Sequence, residues 1–277
     1  LGPGSQVRTY FDYLSGGELE WNRMPEDYDR FVYPGLDLRA SSDPERYERS
    51  LVEAFPDEAR AIRRYFKDVR RTAAWTTLGF AQQMVPRPAA PLLGLLQRLT
   101  GRTATGTTKA YLDARFRSPA LRAVLASQWG DYGLPPSRSA FAVHAMIVSH
   151  YLGGGWFPKG GSARIARTFE KGIEQAGGAV RVAQEVTQIL IEDGAAVGVR
   201  VLDRRGPDAR ERTHRAPVVV SAAGAATTLS RLLPVDGDIG RATAPARRTI
   251  ARLGTGMSAV TVFLRLREDP RSIGVDG

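Results

Sequence analysis

The chain has 277 residues, enough for one large domain or two ordinary ones with a buried core. At 43% apolar and 25% charged it is globular rather than disordered, and having no cysteine it excludes disulfides, thiolate zinc sites and cysteine nucleophiles. Thirty-nine Lys and Arg against 29 Asp and Glu give a formal charge of +10, compatible with nucleic acid, an anionic membrane surface or a negatively charged cofactor. The charge is spread widely, without aromatic–basic interleaving or a basic recognition helix, so nucleic acid is not an expected partner. No apolar run reaches the ~20 residues that span a bilayer and no signal pattern opens the chain. A cytoplasmic protein, membrane-associated at most, is the expectation.

In chain order, Glu18 to Trp21 reads as a strand edge, and Asp27 to Tyr33 as a strand after a turn at Pro25. Helical texture begins at Asp43, a good cap before Pro44, with Leu51, Val52 and Phe55 on one face. Pro56 breaks that run. Beyond Asp57, Ile62, Tyr65, Phe66 and Val69 recur at three- and four-residue steps as far as Trp75. Arg60, Arg63, Arg64, Lys67, Arg70 and Arg71 take the opposite face, which reads as solvent-facing. Residues 78–99 are apolar, broken by Pro86, Pro88 and Pro91, and end in Leu92, Leu93, Leu95, Leu96 and Leu99. They read either as a buried core helix or as a loop and short helix lying on a bilayer or over a lipid pocket. Two short helices follow, over 108–116 and 119–127.

After Gly178 the texture turns to strands: 179–183, 186–192 and 195–203, with Glu192-Asp193-Gly194 as a tight hairpin turn, then 210–215 as an edge. Val218 to Gly224 is an apolar run of buried-strand type. A short helix through Leu229, Leu232 and Leu233 stops at Pro234, and Met257 to Leu266 reads as one more strand. Two lobes result, with a boundary near residues 155–161.

Chemistry-bearing motifs are few. There is no GxxxxGK[ST] and no GxSxG, and His144, His150 and His214 are scattered, so no metal site is expected. Gly254 to Ala259 matches GxGxxA but precedes an expected strand, whereas a dinucleotide fingerprint follows a strand and opens a helix. The most informative stretch is HYLGGGWFPKGGSARIARTFEKGIEQAGG. Gly160 and Gly161 stand at the entrance of a helix whose buried stripe is Ile165, Phe169 and Ile173 and which ends at Gly177-Gly178. First-turn amides attract negative charge, and glycines let a ligand approach them. Trp156 and Phe157 offer flat apolar walls. A site for a conjugated ligand and a plain structural turn both satisfy this pattern.

The run WFPKGGSARIARTFEKGIEQAGGAVRVAQEVTQILIEDGAAVGVRV, followed by APVVVSAAGAATTLSRLLP, resembles flavin-dependent phytoene dehydrogenases and carotenoid isomerases, and is most similar to their relatives of the retinol saturase type. LRAVLASQWGDYGLPPSRSAFAVHAMIVSHYLGGGWFPKGG and RTYFDYLSGGELEWNRMPEDYDRFVYPG resemble the same group. The resemblance implies an α/β (mixed α+β) fold: an incomplete FAD-binding Rossmann-like lobe plus a largely helical substrate-binding lobe. On that reading 1–155 is mainly substrate lobe, 156–256 the middle of the FAD lobe, and 257–277 a return strand. FAD is the implied cofactor, with Val186 against the adenine and Ser221, Ala222, Ala223 and Gly224 along the ribityl and pyrophosphate side. Gly160 and Gly161 complete the cofactor set; Tyr151, Trp156 and Phe157 lie toward a long apolar pocket. The implied activity is desaturation, saturation or isomerisation of a polyene or isoprenoid-like molecule by hydride exchange with the flavin. No side chain is nominated as a general base. Neither the strand–GxGxxG–helix opening nor the closing flavin segment of such enzymes is present, so the chain reads as their interior. An apolar small molecule and peripheral membrane contact are the expected partners. The alternative is a non-catalytic module that binds lipid or an anionic surface through residues 78–99 and the arginine faces.

Overall fold

The computed structural model describes residues 2–82, 94, 97, 101–206, 208–254, 256–258, 260, 262 and 266–273. Ser5 accepts a hydrogen bond from the Arg8 amide and opens helix α1 (Gln6–Leu14). Its Val, Thr, Tyr and Phe content leans toward strand, and the sequence reading contains no helix here. Packing decides: Phe11 meets Trp21 edge-on at 5.1 Å and stacks with Phe169 at 6.1 Å. Strand β1 (Trp21–Arg23) follows.

Strands β2 (Asp27–Tyr33) and β3 (Leu36–Ser41) form an antiparallel hairpin. Pro34-Gly35 makes its turn: proline fixes φ at the first corner and Gly35 takes φ +75 at the second. Helix α2 (Pro44–Ala54) starts as the sequence predicts, Asp43 Oδ1 accepting from the amides of Glu45 (2.9 Å) and Arg46 (3.2 Å). Pro56 begins a single 3₁₀ turn, and α3 (Ala59–Gln82) then buries Ile62, Tyr65, Phe66 and Val69 while Arg60, Arg63 and Arg70 face outward. Helices α4 (Arg102–Thr105), α5 (Thr108–Arg115), α6 (Pro119–Ala126) and α7 (Phe141–Tyr151) complete this part. Of the apolar segment 78–99, Leu92, Leu93, Leu95, Leu96 and Leu99 lie outside the described residues.

Residues 24–155, with 256–277, make one compact unit. The main buried cluster lies within it, running from Leu38 and Leu51 through Phe66 and Leu121 to Val148. Tyr111 and Phe141 stack at 3.6 Å, and Tyr65 meets Phe66 and Phe116 edge-on. Each fully buried side chain of this size stabilises by about 1.5–3 kcal/mol.

The other unit joins residues up to Arg23 with Trp156–Thr255. The lobe expected over 1–155 therefore loses its first 23 residues to this unit. Here β1 pairs antiparallel with β4 (Trp156–Pro158), in the register Trp21↔Pro158 and Arg23↔Trp156. Helix α8 (Ala163–Gln175) contains the expected apolar stripe, but Ile165 and Phe169 are only partly buried and Ile173 is exposed. Gly177 takes φ +80, and the amides of Gly177 and Gly178 donate to the carbonyls of Glu174 and Ile173, a Schellman ending. Strands β5 (Gln184–Glu192), β6 (Ala195–Asp203) and β7 (Arg210–Arg215) form an antiparallel meander. Asp193 (φ +49) and Gly194 (φ +77) supply the two positive angles of a type I′ hairpin turn.

The mixed α/β class expected from the sequence is found, yet three expected strands are not seen among the described residues. Segment 179–183 forms no ladder with any described strand: Ala183 takes φ +55 and turns the chain into β5, its carbonyl accepting from the Arg204 amide. The run from Val218 is not a buried strand either, with Val218 72% and Val220 89% exposed. Pro217 lacks the donor that would carry the β6–β7 ladder onward. Met257 to Leu266 is not a strand at any of its described positions. After Gly224 come a short α9 (Ala225–Thr227), a π turn over Thr228–Leu232 and α10 (Gly237–Leu253), which the sequence reading lacks and which forms although it contains Gly240 and Pro245. Arg247 ties α10 to that turn, Nε donating to the Leu229 carbonyl (2.6 Å) and Nη2 to that of Pro234 (2.7 Å). No described helix is long and apolar enough to cross a membrane.

Candidate functional site

Gly160 and Gly161 stand between β4 and α8, each at φ +87, and the Gly161 amide donates to the Pro158 carbonyl at 3.1 Å. That angle is costly for any residue with a Cβ. A Cβ at either position would meet no protein atom within 4 Å, so the backbone angle, not a close neighbour, demands glycine. Ser162 precedes α8 without turning its hydroxyl onto the helix, and the first turn carries no acidic residue. Of its first-turn amides, that of Arg164 donates to the Gly161 carbonyl at 3.0 Å and that of Ile165 to the Ser162 carbonyl at 3.1 Å.

Trp156 and Phe157 lie in β4 opposite Arg23 and Asn22. Phe157 is exposed. The Trp156 Nε1 is buried and has no hydrogen-bond partner among the described residues; Trp21 Nε1, on the facing strand, is in the same condition. An unsatisfied buried donor costs about 1–3 kcal/mol.

Ser221, Ala222, Ala223 and Gly224 are exposed coil leading into α9. Ser221 Oγ and Thr228 Oγ1 are 2.7 Å apart, Gly224 takes φ +82, and its carbonyl accepts from the Thr228 amide at 2.9 Å. Val186 is 38% exposed in β5, opposite Val201 and beside a register shift at Val186/Gln188. A cavity of about 440 Å³ lies next to it, lined by Thr187, Gln188, Arg200 and Leu202 on one side and Arg231 to Pro234 on the other. Val186 itself does not line it. Among the described residues no hydrogen bond, ion pair or ring contact joins the Trp156–Gly161 bend to Val186 or to Ser221–Gly224.

Tyr151, in the other unit, ends α7. It stacks on Tyr28 at 4.8 Å with the rings 10° from parallel, and its hydroxyl donates to Asp131 Oδ2 at 3.0 Å. Burial, then the Asp131 hydrogen bond, pushes the Tyr151 phenol up to about 12. Asp29 accepts from Gln128 Nε2 at 3.2 Å, and burial raises its carboxyl above the usual range. The sequence reading assigns neither this acidic surround nor Tyr28 to a site. Only spatial neighbourhood reveals it, since 28, 131 and 151 share no periodicity. No group of three or more metal-ligating side chains occurs among the described residues.

Residues 22–274 match the family model described as flavin containing amine oxidoreductase, and the chain belongs to that family. The family's cofactor is a flavin, in accord with the FAD expected from the sequence. The chain is 33% identical to an all-trans-retinol 13,14-reductase of Danio rerio, over 97% of this chain and 45% of that protein. It is 31% identical to the Homo sapiens protein of the same name, over 95% and 44%. A phytoene desaturase (neurosporene-forming) of Cereibacter sphaeroides is 45% identical over 27% of this chain and 13% of that protein. These relatives are of the groups the sequence resembles. The chain spans less than half the length of the retinol reductases it matches.

Proposed function

We propose that this chain is part of an FAD-dependent oxidoreductase that saturates, desaturates or isomerises a long apolar polyene or isoprenoid-like substrate. The observation that carries the reading is the alignment of 95–97% of the chain with proteins named as retinol reductases, in a flavin family. The local geometry fits the cofactor. Two positive-φ glycines leave open space at a helix entrance, a buried indole N–H has no acceptor among the described residues, and Ser221–Gly224 form an exposed small-residue bend. Gly160, Gly161, Val186 and Ser221–Gly224 would hold the dinucleotide, and a bound flavin supplies hydride exchange with a substrate carbon. The chain's own residues bind, orient and exclude water. Trp156 and Phe157 offer apolar surface, and Tyr151 keeps its proton on Oη against Asp131. No titratable cluster for nucleophilic attack is needed. Contact with a membrane surface, from which an apolar substrate would be taken, belongs to the same proposal.

The test is titration of the full chain with FAD. Uptake with quenched flavin fluorescence is expected, and Gly161→Val, which puts a branched side chain into the open space at a strained angle, should weaken it about tenfold or more. A chain that takes up no FAD yet sediments with anionic vesicles would favour the non-catalytic lipid-binding reading.

A further inference from the structure

One stripe of α3 carries Arg64, Asp68, Arg71, Thr72 and Trp75, and it faces a cavity of about 390 Å³ that α4 and Arg115 close from the other side. Asp68 is the single acidic residue of the whole helix. Its carboxylate is buried: Oδ1 accepts from Arg64 Nε at 3.1 Å, Oδ2 accepts from the Tyr111 hydroxyl at 3.0 Å, and Arg115 Nε lies 3.5 Å from Oδ2. The Arg115 guanidinium also rests on the Tyr111 ring at 4.0 Å. Both arginines thus direct Nε at Asp68, and among the described residues their terminal nitrogens make no hydrogen bond. Arg71 forms no ion pair among the described residues. Among the described residues, three guanidiniums against one carboxylate leave two positive charges lining the cavity. An apolar wall stands beside them. Trp75 is fixed by Nε1 donating to the Gln97 carbonyl (2.9 Å) and by Gly101, where a Cβ would fall 2.7 Å from the indole ring. Leu78 and Ala104 extend that wall.

We propose that this cavity binds a phosphate group carried on an apolar body. A phosphate monoester bears about −1.5 to −2 charges at neutral pH, which two uncompensated guanidiniums match, whereas a carboxylate leaves one unmatched. Asp68 and the Tyr111 ring hold the arginine forks in place before a ligand arrives, so little ordering is left for binding to impose. The volume suits a head group with the first part of a chain rather than a bare ion. The site shares no residue with the cofactor and substrate segments named above, and it stands whether or not the oxidoreductase reading does. A membrane phospholipid and a soluble phosphorylated amphiphile present the same chemistry.

The experiment uses the full chain, calorimetric titration with inorganic phosphate and with monomeric dodecyl phosphate, and sedimentation with phosphatidate-containing vesicles. Dodecyl phosphate should bind about tenfold or more tightly than inorganic phosphate. Arg71→Glu should weaken it by at least about tenfold, Arg71→Lys by less, and Arg60→Glu, on the solvent face of the same helix, by less than about twofold. Vesicle sedimentation lost in Arg71→Glu and kept in Arg60→Glu identifies the lipid head group as the source. Monomer binding without sedimentation identifies a soluble ligand. Equal loss in Arg60→Glu and Arg71→Glu, or no dodecyl phosphate binding by folded wild-type chain, overturns the proposal.

Discussion

His144 offers the sharpest quantitative check on the packing of the helical unit. Its ring is buried, with the Tyr65 hydroxyl 2.9 Å from Nε2 and the Tyr132 hydroxyl 3.3 Å from Nδ1. A neutral imidazole has one N–H and one bare nitrogen, so one tyrosine accepts and the other donates. Burial alone, with no counter-charge beside it, pushes the ring down to about 4 from its ordinary 6.5. The folded state therefore binds fewer protons than the unfolded chain between those two values. This stability is intact above about pH 6.5, is lost as pH falls toward 4, and changes no further below. The full difference is about 3 kcal/mol, and the share lost between about pH 7.5 and 5 is about 2 kcal/mol. Urea melts of wild type and His144→Gln at both pH values isolate it, since the glutamine keeps a polar side chain that does not titrate. Wild type should lose about 2 kcal/mol more than the variant over that interval. Equal losses, or a directly observed His144 titration near 6.5, would refute the reasoning.

Gly198 in β6 takes φ +152, and a Cβ there would lie 2.3 Å from the His214 carbonyl oxygen on β7. Gly198→Ala should cost about 1–3 kcal/mol and raise amide exchange over residues 212–215 before the β5–β6 hairpin opens. Asp43→Ala removes the acceptor for two first-turn amides of α2 and should lower stability by about 1 kcal/mol, whereas Asp43→Asn, which keeps an acceptor oxygen, should lose only a small part of that; chemical denaturation midpoints decide.

What the sequence discloses depends on whether the signal is local. Asp43-Pro44, Ser118-Pro119 and Asp193-Gly194 each contain the side chain or backbone freedom that ends or starts an element, and the elements begin where those residues say. The stripe Ile62, Tyr65, Phe66, Val69 is core because its period matches the helix. Failures occur where a neighbour decides. Gln6–Leu14 is helical because Phe11 finds Trp21 and Phe169, which no spacing within nine residues announces. Residues 218–220 have strand composition without a strand beside them. At the candidate sites, the glycine bend is visible as letters and its open space is not. The arginine cavity has a trace in the sequence: Asp68 interrupts an otherwise basic helix face, four residues after Arg64 and three before Arg71, a pattern a solvent face does not require.

The exposed Val180, Val182, Val218 and Val220 also bear on how this polypeptide behaves in solution. Each lies in a short β-prone stretch outside any strand ladder among the described residues, able to zip onto the same stretch of another molecule. Against this stands the +10 charge, whose mutual repulsion between molecules reaches about 30 Å at 0.01 M salt and only about 8 Å at 0.15 M. Raising the ionic strength should therefore promote self-association instead of dispersing it, with dilute buffer keeping the molecules apart, and light scattering across a salt series checks this.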